Sequence, residues 1–160
     1  MARLHLTIDL EPTDETYASL LQLASRWCSM ALLVVRDRLG LSELGAHLTK
    51  ELEPFLLERS TSSSWPGTTL LKGSASVSTY RLDPTVVERL SAATTGLYGW
   101  QQPELPEDLC LLRRDGDPWL VTIAHEGDGF VVLEPTELEE LLRDLPDFAA
   151  VLREETDGEY

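Results

Sequence analysis

The sequence has few of the residues from which disulfide scaffolds and metal sites are built. It contains two cysteines and three histidines in 160 residues. This is far below the cysteine density of small secreted scaffolds. Cys28 and Cys110 stand among apolar neighbours, which predicts two buried free thiols. The histidines lack the H-E-x-x-H spacing of a zinc protease, and the acidic turns do not form a calcium loop. We therefore expect no metal and no cofactor.

Long apolar runs are also missing. The longest, from Trp27 to Val35, is interrupted by Ser29 and is about half the roughly 20 residues that cross a bilayer. Residues 3–9 alternate polar and apolar side chains and do not form the continuous apolar core of a secretion signal. These features predict a cytoplasmic protein with no membrane partner.

Familiar catalytic motifs are absent. The sequence holds no G-x-S-x-G elbow, no phosphate-binding loop ending in Gly-Lys-Ser or Gly-Lys-Thr, and no G-x-G-x-x-G after a strand. Their absence argues against the common enzyme classes. It does not exclude an enzyme of another kind, because active sites are assembled in space.

Basic residues are scarce in the last third of the chain. Residues 1–100 hold 9 Lys and Arg against 11 Asp and Glu, whereas residues 101–160 hold 4 against 17, and the whole chain has a net charge of −15. Such a surface repels nucleic acid and anionic lipid, and it attracts basic proteins. The composition therefore predicts a basic protein partner, such as a toxin or a nucleic-acid-binding protein, and no direct contact with nucleic acid.

Hydrophobic periodicity predicts alternating helical and extended segments. Leu4, Leu6 and Ile8 alternate with polar residues, as in a half-buried strand. Apolar residues at steps of three and four predict a central core helix over about 14–39, with Trp27 near its middle. A second helix begins at Ser42 as its cap and continues to about residue 59, with a bend at Pro54. Residues 60–67 are rich in serine and predict a flexible loop.

The second half of the sequence contains a clearer pattern. Residues 70–82 predict a weak strand, and Asp83-Pro84 predicts the start of a short helix. Three apolar runs at 109–112, 119–124 and 130–133 are separated by Asp-Gly turn sequences, which predict a three-stranded antiparallel meander. Helices follow over 136–153, with a frayed end from about 154.

These elements combine into one expected architecture. Residues 1–160 form a single α+β domain, in which a small, mainly antiparallel sheet that includes the meander packs against helices on one face. The size and the helix and strand pattern suit a small bacterial protein.

An aromatic and acidic segment is the predicted partner-binding surface. Aromatic side chains dominate interface hot spots and also receive cations on the ring face. Carboxylates beside them suit a basic partner. The residues are Tyr98, Trp100, Glu104, Glu107, Asp108 and Trp119.

The leading functional hypothesis is a non-catalytic protein-binding or inhibitory module, similar in size and charge to immunity proteins and antitoxins. Two alternatives stay open. One is an enzyme or small-molecule-binding domain with a pocket around His125 and Glu126, because a histidine at a strand end is sensitive to its surroundings. The other is an acidic mimic of nucleic acid.

Overall fold

The computed structural model describes residues 2–154. The strands are β1 Leu4–Ile8, β2 Met30–Val35, β3 Leu56–Ser62, β4 Ser64–Trp65, β5 Thr68–Thr69, β6 Ala75–Arg81, β7 Glu107–Leu112, β8 Pro118–Ile123, β9 Asp128–Leu133 and β10 Leu152–Glu154. The helices are α1 Asp14–Ala24, α2 Glu43–Leu52, α3 Pro84–Ala93, α4 Pro135–Asp144 and α5 Pro146–Ala149. None of these helices is long and apolar enough to cross a bilayer.

Eight of the strands form one sheet. Their order is β10-β1-β9-β8-β7-β2-β6-β3, and neighbouring strands are antiparallel throughout. The predicted meander is confirmed as β7, β8 and β9. The α+β class is confirmed as well, although the sheet is larger than the small one that the sequence predicted.

The two faces of the sheet are covered by different elements. All five helices pack on one face, called the helix face, around a core that includes Leu20, Leu52 and Leu90. The opposite face is called the hairpin face, because the two-stranded hairpin β4–β5 lies over it. There Trp65 packs with Val34, Cys110 and Val121.

The predicted central helix over 14–39 is wrong in its second half. Helix α1 ends at Ala24, and Met30–Val35 is the buried strand β2 between β6 and β7. A short run that is apolar on both faces is typical of a central strand, and its periodicity does not distinguish it from a buried helix. Trp27 lies after α1 and is only partly buried.

The region from 42 to 67 also differs from its prediction. Ser42 caps α2 as expected, since its Oγ accepts a hydrogen bond from the Gly45 N–H at 3.2 Å. The helix ends at Leu52, and β3 begins at Leu56. The predicted loop over 60–67 therefore contains the end of β3 and all of β4. Strand β3 lies at the edge of the sheet, where polar side chains are exposed to solvent. Its flexibility stays a prediction. Residues 152–154, predicted as the end of the last helix and the start of the frayed end, instead form β10 beside β1. The rest of the predicted frayed end lies in residues 155–160, outside the described part.

Candidate functional site

The aromatic anchors predicted for partner binding lie inside the protein. The side chains of Trp100 and Trp119 are fully buried. Trp100 donates a hydrogen bond from Nε1 to the Tyr17 hydroxyl at 3.0 Å, and Trp119 stacks on Trp27 with ring centroids 5.8 Å apart. Both tryptophans therefore belong to the core and not to a docking surface.

Two of the predicted acidic partner-binding residues, Glu107 and Asp108, are buried as well. Asp108 Oδ2 accepts a hydrogen bond from Trp65 Nε1 at 3.1 Å, and Oδ1 accepts one from the Ala124 N–H at 3.1 Å. The first of these bonds ties the hairpin β4–β5 to the sheet. Asp108 therefore holds the protein's own elements together.

Glu107 forms a partly buried ion pair with Arg36. Arg36 Nε lies 3.0 Å from Glu107 Oε2, and the guanidinium carbon lies 5.4 Å from the centre of the Trp65 ring. Burial raises the pKa of the Glu107 carboxyl above its ordinary value, although the positive charge of Arg36 opposes the rise. The Arg36 side chain is thus held between a carboxylate and an aromatic face.

The alternative pocket at His125 and Glu126 is an exposed turn. Their side chains are 48% and 60% exposed, and His125 Nε2 lies 3.7 Å from Glu126 Oε1. Neither residue lines any of the five described cavities. Within residues 2–154, no three His, Cys, Asp or Glu side chains are placed to hold a metal ion.

The two cysteines are buried free thiols, as predicted. Burial raises the pKa of both Cys28 and Cys110 to about 12. A thiol of that kind is protonated at neutral pH and is a poor nucleophile. These residues do not supply a catalytic centre.

Carboxylates that have no arginine or lysine partner in the described residues gather at one end of the sheet. This upper end is the one where β1, β2 and β8 end and β6, β7 and β9 begin. Four acidic residues lie there around the turn at 95–99 and form what we call the acidic patch. Its members are Glu11, Asp14, Glu126 and Asp128.

Several contacts bring the acidic patch together. Glu11 Oε1 accepts a hydrogen bond from the Tyr98 N–H at 3.1 Å, and the Asp14 N–H donates to the Thr95 carbonyl at 2.6 Å. The turn that carries Glu126 packs against Leu97–Gly99. Burial, together with the negative charges of Asp128 and Glu11, raises the pKa of Tyr98 to about 12. Tyr98 is therefore the half-buried centre of the patch.

No arginine or lysine in residues 2–154 forms an ion pair with the acidic patch. The lower end of the sheet differs. There Arg3 contacts both Asp117 and Glu134 at 2.8 Å, and Arg113 holds Glu137 through two hydrogen bonds. The carboxylates of the acidic patch therefore lack the arginine contacts that Asp117, Glu134 and Glu137 have at the lower end.

Sequence reasoning found part of this site. Glu104 is exposed at the upper end, as its predicted role requires, and Tyr98 lies in the patch. Glu11 and Asp14 were missed because they are far from Glu126 and Asp128 in the chain, and only the pairing of β1 with β9 brings them close. Arg36 and Trp65 were also missed, because they are far apart in the chain and meet only in the folded protein.

No family model, curated protein or solved structure matches this chain. Its function is therefore inferred from its own residues.

Proposed function

We propose that the chain is a protein-binding or inhibitory module, of the immunity-protein or antitoxin kind, that engages a basic protein partner through the acidic patch. The observation that carries the proposal is the group of four carboxylates around the turn at 95–99, none of which forms an ion pair with an arginine or lysine in the described residues. Neighbouring like charges repel each other. Arginine or lysine side chains of a partner would relieve this repulsion on binding.

The surroundings of the acidic patch also suit docking. Three of its members are exposed, and the half-buried Tyr98 supplies an aromatic surface between them. Tyrosine is enriched among the residues that carry interface energy. Exposed Glu104 extends the negative charge toward α2. The likeness to immunity proteins and antitoxins rests on size and charge alone.

The two alternatives have less support from the geometry. No described cavity accompanies His125 and Glu126, so a small-molecule site or active site there lacks an enclosing pocket. A nucleic-acid mimic predicts a partner that binds DNA or RNA through the surface that contacts the acidic patch. Displacement of the partner by DNA distinguishes that function from the others.

The test begins with the partner. The tagged chain is cross-linked in the cells that produce it, the bound protein is identified, and both proteins are then purified. Association kinetics are measured from about 50 to about 500 mM salt. Over this range the Debye length, the distance over which charges act, shortens strongly. We expect a basic partner whose association slows about ten-fold over this range.

Matched variants locate the surface. Glu126→Gln combined with Asp128→Asn removes two charges from the acidic patch. Glu88→Gln combined with Glu139→Gln removes two charges from exposed, unpaired positions on helices α3 and α4. The patch variant should slow association about five-fold at low salt, and the control less than two-fold. Equal slowing by the patch variant and the control, or an association rate that does not change with salt, would disprove docking at the patch. Displacement of the partner by DNA would favour the mimic.

A further inference from the structure

A small cavity with cationic walls lies at the upper end of the sheet, on the hairpin face. It has a volume of about 190 Å³ and lies between the end of β2 and the connection from β5 to β6. Arg36, Arg38 and Lys72 line it, with Ser74 beside them and Asp37 as a lining carboxylate. Three positive charges thus converge on one cavity in a chain whose net charge is −15.

Arg36 is held in place before any ligand arrives. Its Nε lies 3.0 Å from the buried Glu107 carboxylate, and its guanidinium lies over the Trp65 ring. Only 25% of the side chain is exposed. Neither terminal Nη group forms a hydrogen bond within residues 2–154, although both are donors. The contact between Nε and Glu107 is an ion pair without hydrogen-bond geometry. A guanidinium with one edge against a carboxylate and its Nη groups free is suited to bidentate recognition of an oxyanion.

Arg38 and Lys72 are exposed and form no ion pair within the described residues. This is unexpected in a chain that has 28 acidic residues against 13 basic ones. Most arginines elsewhere in the described residues are paired, although the exposed residues Arg114 and Lys50 are not. Arg3, Arg26 and Arg113, for example, each contact carboxylates. The charges of Arg38 and Lys72 therefore stay available to a ligand in the cavity.

From this arrangement we infer that the cavity binds a phosphate group carried by a small soluble molecule, with Arg36 donating through its Nη groups and Arg38 and Lys72 supplying charge. Several cations suit a phosphate, which carries more than one negative charge at neutral pH. The volume of about 190 Å³ is far above the ~10–15 Å³ that holds one water molecule, so the cavity accommodates a tetrahedral oxyanion. The acidic patch on the same end of the sheet repels an anionic lipid surface, which favours a soluble ligand over a lipid headgroup.

The test is a titration of the isotope-labelled full chain with inorganic phosphate, at constant ionic strength, followed by amide NMR spectra. We expect saturable shifts confined to residues 36–39 and 72–74. A soluble phosphomonoester should shift the same amides. Vesicles containing phosphatidic acid should leave them unchanged. Response to the vesicles but not to phosphate would overturn the assignment to a soluble ligand.

Single-charge variants provide the control. Lys72→Ala and Arg38→Ala should each weaken phosphate binding at least five-fold, because each removes one wall charge. Arg114→Ala makes the same change in net charge at another exposed residue that lacks an ion pair, near the opposite end of the sheet. It should change the affinity less than two-fold. Absent or unsaturable shifts, or equal weakening by Arg114→Ala, would overturn the proposal.

Discussion

Asp108 adopts a φ of +55°, a left-handed conformation that residues other than glycine seldom take and that aspartate tolerates better than most. Its carboxylate receives one hydrogen bond from the side chain of Trp65 and one from the backbone of Ala124. The residue is almost completely buried. A buried acceptor of this kind is costly to leave unpaired.

We predict that Trp65 and Asp108 are energetically coupled. Asp108→Asn turns one acceptor oxygen into an N–H donor, and Trp65→Phe removes the indole donor. Each change should lower the free energy of unfolding by about 1–3 kcal/mol. The double variant should lose clearly less than the sum of the two. Urea unfolding of the four proteins measures the coupling, and additive losses would contradict it. Asp115→Asn, at an exposed position, is the control.

The ion pair between Arg113 and Glu137 gives a pH prediction. Burial acts to raise the pKa of the Glu137 carboxyl, but hydrogen bonds from Arg113 outweigh it, and the pKa lies below its ordinary value. A lowered pKa in the folded state stabilises the fold above the unfolded pKa of about 4.3. This contribution is lost as the pH falls through the folded pKa.

Glu137→Gln should therefore cost about 3 kcal/mol at pH 7, because it leaves a largely buried arginine without its counter-charge. The difference between the wild type and the variant should shrink as the pH is lowered from about 5 to about 3. Urea midpoints measured across that range test the prediction. A difference that stays constant with pH would show that the ionised carboxylate is not the source of the stability.

At the scale of elements, the hairpin β4–β5 depends on a close approach at Gly67. This glycine has a φ of +86°, and a Cβ at its position would lie 2.8 Å from Val121 Cγ1. Gly67→Ala should therefore meet both backbone strain and a clash with the hairpin face. We expect it to lower the free energy of unfolding by about 2–3 kcal/mol.

Gly116→Ala is the matched control for this prediction. Gly116 has a φ of +93°, but nothing lies within 4 Å of the added Cβ. Gly116→Ala should therefore lower the free energy of unfolding by only about 1 kcal/mol, which is the cost of the backbone strain alone. If the two substitutions cost the same, the hairpin does not pack on Val121 as tightly as the structure shows.

The elements that the sequence predicted correctly are those with local signals. The turn between β7 and β8 contains an Asp-Gly pair, and the turn between β8 and β9 contains an aspartate flanked by glycines. These turn sequences made the meander predictable. Met30–Val35 has no such signal, because its residues are apolar on both faces and continue the pattern of α1. The core role of Trp100 and Trp119 was equally hidden, since aromatic residues suit cores and interfaces alike.

At the scale of the whole molecule, charge is distributed unevenly. The acidic patch lies at the upper end near β1 and β9, and the cationic cavity lies at the same end beside β2 and β6. The sequence predicted the acidity but placed it in the C-terminal third. The acidic patch combines two residues of that third, Glu126 and Asp128, with Glu11 and Asp14, because antiparallel pairing brings the end of β1 beside the start of β9.

This distribution predicts the effect of salt on stability. Repulsion within the acidic patch should weaken as salt screens it, so the melting temperature should rise by a few degrees between about 20 and about 200 mM salt. At low salt, Glu126→Gln should raise the melting temperature by about 1 °C. Glu140→Gln makes the same charge change but loses contacts with Arg26 and Arg143. This variant should therefore not raise the melting temperature. Equal effects of both variants would point to net charge alone.

The position of β1 in the sheet also constrains how the chain folds during synthesis. Strand β1 pairs with β9 on one side and β10 on the other, although both partners are synthesised long after it. Both partners come from residues 128–154. Until that segment leaves the ribosome, β1 has two open edges, and unpaired strand edges are where nascent chains associate wrongly. Pairing of both edges of β1 must therefore wait until residues 128–154 have been synthesised, more than 100 residues after β1 itself.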